Sequence, residues 1–174
     1  MNSTKPELRK ALRAARMTMT AEDRGRKSLE ICAGLLRSVD WSGVRSLHCY
    51  EPIANLGEVD VTGFIADLKD GYPELRIYTS RKLDGGWKVV SVDSGEPVEP
   101  APGFDAVIVP MLGFDPQLHR IGFGGGYYDR FLAAQPQARK IGVCFEQGLV
   151  RRVPHEAHDI RLDMVLTERR ILTP

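Results

Sequence analysis

The sequence has no apolar run approaching the roughly 20 residues that a membrane-spanning helix needs, so no membrane role is expected. Cysteine is scarce. Cys32, Cys49 and Cys144 form no CxxC pair and leave one thiol unpaired under any disulfide scheme, which points to a reducing compartment and hence the cytoplasm. An excess of one charge is also lacking: 24 Lys and Arg stand against 23 Asp and Glu, a formal net charge of +1. That balance removes the positive field expected of a nucleic-acid-binding protein. Internal repeats and low-complexity tracts are absent.

Two common phosphate-binding signatures are missing as well. No GxxxxGK followed by Ser or Thr occurs, which excludes a Walker A loop. A dinucleotide fingerprint beginning at Gly122 would need a third glycine where Tyr127 stands.

What is present reads as a folded α/β chain. Its 174 residues suffice for one domain spanning 1–174, and 43% hydrophobic with 27% charged residues is the balance of a soluble globular protein. The first twenty residues carry five basic side chains and one acid, a weak likeness to a transit peptide, but lack the apolar core of a secretory signal. Lys5, Arg9, Arg13 and Arg16 share one helical face and Leu8, Leu12 and Ala15 another, so a folded amphipathic helix is expected, with Arg13 and Arg16 solvated. A second helix follows Thr20, a cap residue trailed by acids.

Strand-like segments at 44–50, 75–80, 87–92, 105–110, "KIGVCF" and "DMVLT" then alternate with helical segments at "VTGFIADLKDGYP" and "YYDRFLAAQ". The pattern predicts a three-layer α/β/α fold with a mainly parallel central sheet and an N-terminal helical pair. "DAVIVP" is apolar almost throughout, as a central parallel strand buried on both faces must be.

Ligands of such sheets sit beyond the carboxyl ends of the strands, which draws attention to "HRIGFGGGYYDR" at 119–130. Four glycines within five positions leave backbone amides bare and able to converge on an anion, and the following helix adds the positive end of its dipole. Phosphate is the natural ligand. Arg120 and Asp129 flank the glycines, and a plain turn needs neither. His155 and His158 with their neighbouring acids match no zinc spacing and are read as a polar loop at the rim.

"VPMLGFDPQLHRIGFGGGYYDRFL" (109–132) resembles the glycine-rich signature of the 5-formyltetrahydrofolate cyclo-ligase family, also called methenyltetrahydrofolate synthetases. "KPELR", "GEVDV" and "HEAHDIRLDMVLTE" follow the family's order, so the resemblance spans nearly the whole chain. It implies ATP- and Mg2+-dependent closure of a folate ring: phosphorylation of the formyl oxygen, attack by N10, and release of ADP and phosphate. It further implies small-molecule partners, ATP and a reduced folate, and a monomer is expected.

By the same resemblance, Lys5 and Arg9 contact the nucleotide, Arg9 also reaching the folate. Arg120, Ile121, Gly122, Phe123, Gly124, Gly125, Gly126, Tyr127 and Tyr128 form the ATP-binding loop, of which Phe123 to Tyr127 also line the folate pocket. Glu58 is the folate-contacting acid, and Asp129 and Asp163 are the magnesium ligands. Arg120, Tyr127 and Asp129 are the catalytic candidates. Positioning and charge stabilisation suffice for such a reaction, so no serine or cysteine nucleophile is called for.

Two features depart from the family. Phe123 stands where a basic or polar residue is frequent, and the segment from Tyr50 to Glu58 is longer by about two residues than the family's connection. They leave open a paralogue that keeps the ATP and metal site but acts on another substrate or only binds nucleotide. A sugar-phosphate isomerase or acyl-CoA-handling enzyme on a similar α/β scaffold, needing neither ATP nor metal, is a third reading, since fold alone does not fix function.

Overall fold

The computed structural model describes residues 3–174. Five strands pair in parallel: β1 (Ser46–His48), β2 (Arg76–Leu83), β4 (Ala106–Pro110), β7 (Arg139–Val143) and β8 (Met164–Leu166). Two more, β3 (Gly86–Ser91) and β9 (Ile171–Leu172), close the edges antiparallel, giving the order β3-β2-β1-β4-β7-β8-β9. A separate two-stranded ribbon of β5 (Gly113–Phe114) and β6 (Arg120–Ile121) stands beyond the carboxyl end of β4.

The alternation of the strands sorts their side chains onto two faces. Leu47, Ile108, Ile141 and Leu166 meet Ile31 and Leu35 of α2 (Ala21–Ser38) and Phe64 and Leu68 of α3 (Thr62–Gly71). Val107, Val109 and Val165 face the other way, toward Leu132 of α4 (Tyr127–Ala133). All five residues of β4 are buried, as a strand covered by helices on both faces requires. The three-layer architecture and mainly parallel sheet expected from the sequence are present.

The N-terminal helix α1 (Lys5–Met17) opens with a capping box: the Glu7 amide donates to Thr4 Oγ1 at 3.4 Å and the Thr4 amide to Glu7 Oε2 at 2.8 Å. The cap fixes the helix start and so the place of Lys5. Unlike α2, α1 lies over the loops at the carboxyl ends of the strands, where Leu12 packs with Leu112, Ile121 and Val153. Close docking here depends on Gly113: a β-carbon on it would stand 2.6 Å from both the Gly148 carbonyl oxygen and Leu12 Cδ1.

Arg16 is not solvated as its sequence position on the basic face suggests. It is 3% exposed and donates to the Met111 carbonyl at 2.5 Å, with its guanidinium 5.8 Å from the ring centres of Phe123 and Phe145. The reason is helical geometry: Arg16 follows Leu8 and Leu12 at intervals of four and therefore continues their apolar stripe. Arg13 is exposed, as expected.

Candidate active site

The glycine loop leaves β6 at the carboxyl end of the sheet with its two kinds of polar backbone group treated differently. Three of its carbonyls are taken by arginines: Arg9 Nε donates to Gly122 O at 3.2 Å, Arg13 to Phe123 O at 3.2 Å and Arg130 to Gly125 O at 3.3 Å. Its amides are not. Among the described residues, none of the amides of residues 122–126 donates to a backbone carbonyl. Gly126 ends the loop at φ +63°, a conformation that side-chain-bearing residues disfavour, and starts α4. Because α4 is only two turns long, the positive charge at this end of the sheet comes chiefly from side chains rather than from the helix dipole expected from the sequence.

Those amides border a cavity of about 640 Å³. Lys5 and Arg9 enter it from α1 and Arg120 from β6, and Glu58 and Trp87 also line it. Arg120 is nearly buried, bonded to Asp129 and to the Ile160 carbonyl. Burial pulls its pKa down, opposed by Asp129. Lys5 Nζ lies 2.5 Å from Asp159 Oδ2. Burial raises the Asp159 carboxyl, but Lys5 and the Glu156 amide outweigh it and hold the acid below its ordinary range.

Glu58 is held by the Ile53 amide, which donates to Oε2 at 2.7 Å and closes the longer 50–58 segment into a compact loop. Burial pushes the Glu58 carboxyl upward, with the Ile53 amide working against it. In the same cavity the rings of Tyr127 and Trp87 lie 5.1 Å apart at 39°, and Phe131 stacks behind Tyr127 at 5.6 Å. The cavity therefore holds aromatic rings and an acid together, a combination suited to a planar heterocycle with N–H groups along one edge.

The fold gathers most of the predicted residues into this one space. Lys5, Arg9, Glu58, Arg120, Gly122 through Gly126, Tyr127, Tyr128 and Asp129 all line it. Ile121 does not; it is buried against Leu12 and Leu112 and anchors the loop from behind. Phe123 reaches both ways, lining the cavity and packing beneath Arg13 and Arg16.

Asp163 requires a correction. It precedes β8 at the amino end of the sheet, where Oδ2 accepts from the Lys140 amide at 2.7 Å, and it does not border the cavity. It is not brought together with Asp129. The aspartate that shares the cavity with Asp129 is Asp159, four residues before Asp163. Position along the strand held the signal: a residue directly ahead of a parallel strand lies at the end opposite to the ligands.

Sequence reasoning also passed over Trp87 and Ser80. Trp87 sits on an antiparallel edge strand remote from the glycine motif and is 48% exposed, while Ser80 hydrogen-bonds the Tyr127 hydroxyl from the end of the parallel part of β2. Nothing local to "YTS" or "GGWK" marks either residue. His155 stacks on His119 at 3.8 Å, and His158 stands at the cavity rim.

Comparison with known proteins gives one result at three levels. A family model described as the 5-formyltetrahydrofolate cyclo-ligase family matches residues 85–168, which take in β3, the glycine loop and β8. The mouse protein named 5-formyltetrahydrofolate cyclo-ligase is 25% identical over 97% of this chain and 95% of its own length. Among solved structures, a 5,10-methenyltetrahydrofolate synthetase from Mycoplasma pneumoniae superposes with a TM-score of 0.81 at 25% identity, covering 95% of this chain and 99% of that one. The 5,10-methenyltetrahydrofolate synthetase of Aquifex aeolicus gives 0.80 at 29% identity, over 97% and 92%. Sequence, glycine loop and fold agree in their likeness: residues 85–168 match the 5-formyltetrahydrofolate cyclo-ligase family model, and nearly the whole chain is similar to enzymes named 5-formyltetrahydrofolate cyclo-ligase or 5,10-methenyltetrahydrofolate synthetase.

Proposed function

We propose that this protein converts 5-formyltetrahydrofolate to 5,10-methenyltetrahydrofolate at the cost of one ATP, in the cytoplasm. The observation that carries the proposal is a single cavity with two unlike halves. One half offers undonated amides and the cations Lys5, Arg9 and Arg120; the other offers the Trp87 and Tyr127 rings together with Glu58. A triphosphate suits the first and a pterin the second. Their contiguity would put the γ-phosphate beside the formyl group.

The chemistry needs little from the protein beyond that placement. The formyl oxygen attacks the γ-phosphorus as ADP departs; N10 then attacks the activated carbon, loses its proton, and phosphate leaves as the methenyl bridge closes. Holding both reactants in register supplies the effective concentration, and Lys5, Arg9 and Arg120 balance charge spreading over the phosphoryl oxygens. Glu58 orients the pterin by accepting from its N–H edge.

The residues fit a magnesium ion in the phosphate half. Asp129 and Asp159 both face the cavity, each beside a cation, and magnesium commonly takes one or two carboxylates with phosphate and water oxygens. Bound there, it would neutralise phosphate charge and orient the triphosphate. Asp129 and Asp159 would hold it, each already paired with a cation, Arg120 and Lys5 respectively.

Phe123 does not weigh against this reading. Its ring fastens the loop to α1, and three other cations serve the phosphate half. The direct test is the rise of methenyl absorbance when the protein meets ATP, Mg2+ and 5-formyltetrahydrofolate. Binding of ATP without that rise would overturn the proposal in favour of a nucleotide-binding paralogue.

A further inference from the structure

Behind the aromatic rings of the cavity lies a chain of three polar groups that the proposed reaction does not by itself account for. His48 on β1 is fully buried, and its Nε2 lies 2.7 Å from Ser80 Oγ on the neighbouring strand β2. Ser80 Oγ in turn bonds the Tyr127 hydroxyl, which faces the cavity. The far ring nitrogen of His48, Nδ1, has no partner. Around the imidazole stand the rings of Phe131 at 4.3 Å, Phe104 at 5.4 Å and Tyr128 at 6.4 Å.

We infer that His48 and Ser80 are positioning residues that fix the polarity of the Tyr127 hydroxyl, so that Tyr127 presents a hydrogen-bond donor to the cavity and selects an acceptor oxygen on the ligand. The argument counts protons. Burial among aromatic rings keeps the imidazole neutral, its pKa brought down to about 3, so it carries one N–H. A buried N–H without an acceptor is rarer than a buried acceptor without a donor, which places that proton on Nε2, facing Ser80. Ser80 Oγ then accepts from His48, and its only proton goes to the Tyr127 oxygen. With its oxygen engaged as an acceptor, the Tyr127 proton turns into the cavity.

The opposite polarity, with Tyr127 donating to Ser80 and Ser80 to Nε2, would strand an N–H at Nδ1 inside the aromatic cage. It would also present a lone pair to the ligand and favour an amino group there. The donor polarity matches an oxygen of carbonyl or phosphoryl type. In this respect the inference rests on the proposed function, where the formyl oxygen of the folate and the γ-phosphate of ATP both qualify. Burial also keeps the Tyr127 phenol protonated, since it raises the pKa by more than the Ser80 hydrogen bond lowers it.

Three measurements on the full chain test this, the first of them independently of the reaction. Nitrogen-15 NMR of histidine-labelled protein, with the His48 signals assigned by their loss in His48→Phe, should show a protonated Nε2 and a bare, pyridine-like Nδ1 that do not titrate between pH 5 and 8. A proton on Nδ1, or a titration in that range, overturns the polarity whether or not the protein makes methenyltetrahydrofolate. Kinetics of Ser80→Ala, Tyr127→Phe and the double variant then test positioning, each checked for a native-like melting curve. Ser80→Ala should lower kcat/KM by about tenfold, and the double variant should be no worse than Tyr127→Phe alone. Losses that multiply in the double variant would mean that Ser80 acts independently of Tyr127 and would refute the relay. Calorimetry with a non-hydrolysable ATP analogue and with the folate, each alone, identifies the oxygen: a defect confined to folate assigns it to the formyl side, and one confined to nucleotide assigns it to phosphate. No defect in either titration or in turnover refutes the inference.

Discussion

The two ends of the central sheet contain similar residue types and use them in opposite ways. At the amino end, carboxylates are consumed by backbone amides: Asp105 accepts from Arg45 and Ser46 at 2.8 and 2.9 Å, and Asp163 accepts from Lys140 at 2.7 Å. At the carboxyl end, Asp129 and Asp159 pair with side-chain cations inside an open cavity, and the amides of the glycine loop are left without carbonyl partners. Parallel strands cause the difference. Loops at one end are short links into the next strand, whereas those at the other must turn into helices and leave polar groups over. Asp105 and Asp163 thus act as structural caps, whereas Asp129 and Asp159 stand where a ligand can reach them.

Exchanging acids between the two ends should break this comparison most sharply. Asp129→Asn keeps the shape and a hydrogen-bond acceptor for Arg120 but removes the charge, and is expected to lower kcat by roughly a hundred- to a thousandfold in the methenyl absorbance assay. Asp159→Asn should act in the same direction and require more Mg2+ for half-maximal rate. If Asp129→Asn retained most of the activity, the carboxyl end would not be the metal-bearing end. Glu58→Gln comes next. It should weaken folate binding by about tenfold to a hundredfold in calorimetry while leaving ATP binding unchanged, because the lost charge-assisted hydrogen bonds face the pterin alone.

Much of this was legible in the sequence, and the failures share a cause. Strand β4 was visible because it is apolar throughout, and the glycine loop because bare backbone after such a strand has few other uses. Lys5, Arg9, Glu58 and Asp129 came from the family resemblance, and the fold gathers them. Asp163 was misplaced because a motif records which acids are near in sequence, not which end of a strand they occupy. Arg16 was misplaced because charge was given more weight than its four-residue spacing from Leu12. Trp87 and Ser80 were invisible for a third reason: they meet Tyr127 only through the pairing of β1, β2 and β3, a long-range event.

A smaller effect follows from His48, near the carboxyl end of β1. Its folded-state pKa of about 3 lies below the ordinary 6.5, so the unfolded chain binds the proton more readily. Stability from this group is fully present above pH 6.5 and is lost as the pH falls toward 3, about 2 kcal/mol of it between pH 7 and 5. Glu58, with its pKa raised, contributes the opposite slope, so the measurement should be a difference. Urea unfolding of the wild type minus that of His48→Phe should grow more negative as the pH drops over this range. A flat difference would mean that His48 is not held neutral.

The smallest effect belongs to the amino end. Asp163→Ala removes an acceptor from the Lys140 amide at the mouth of β7, where water can take its place because Asp163 is half exposed. The cost should be only about 0.5–1 kcal/mol, read as a shift in the urea midpoint with no change in slope. Turnover, ATP affinity and Mg2+ dependence should all match the wild type, because the carboxylate lies at the opposite end of β7 and β8 from the loop that faces the cavity. A raised Mg2+ requirement in Asp163→Ala would mean that this acid reaches the metal after all, and that the division of labour between the two ends does not hold.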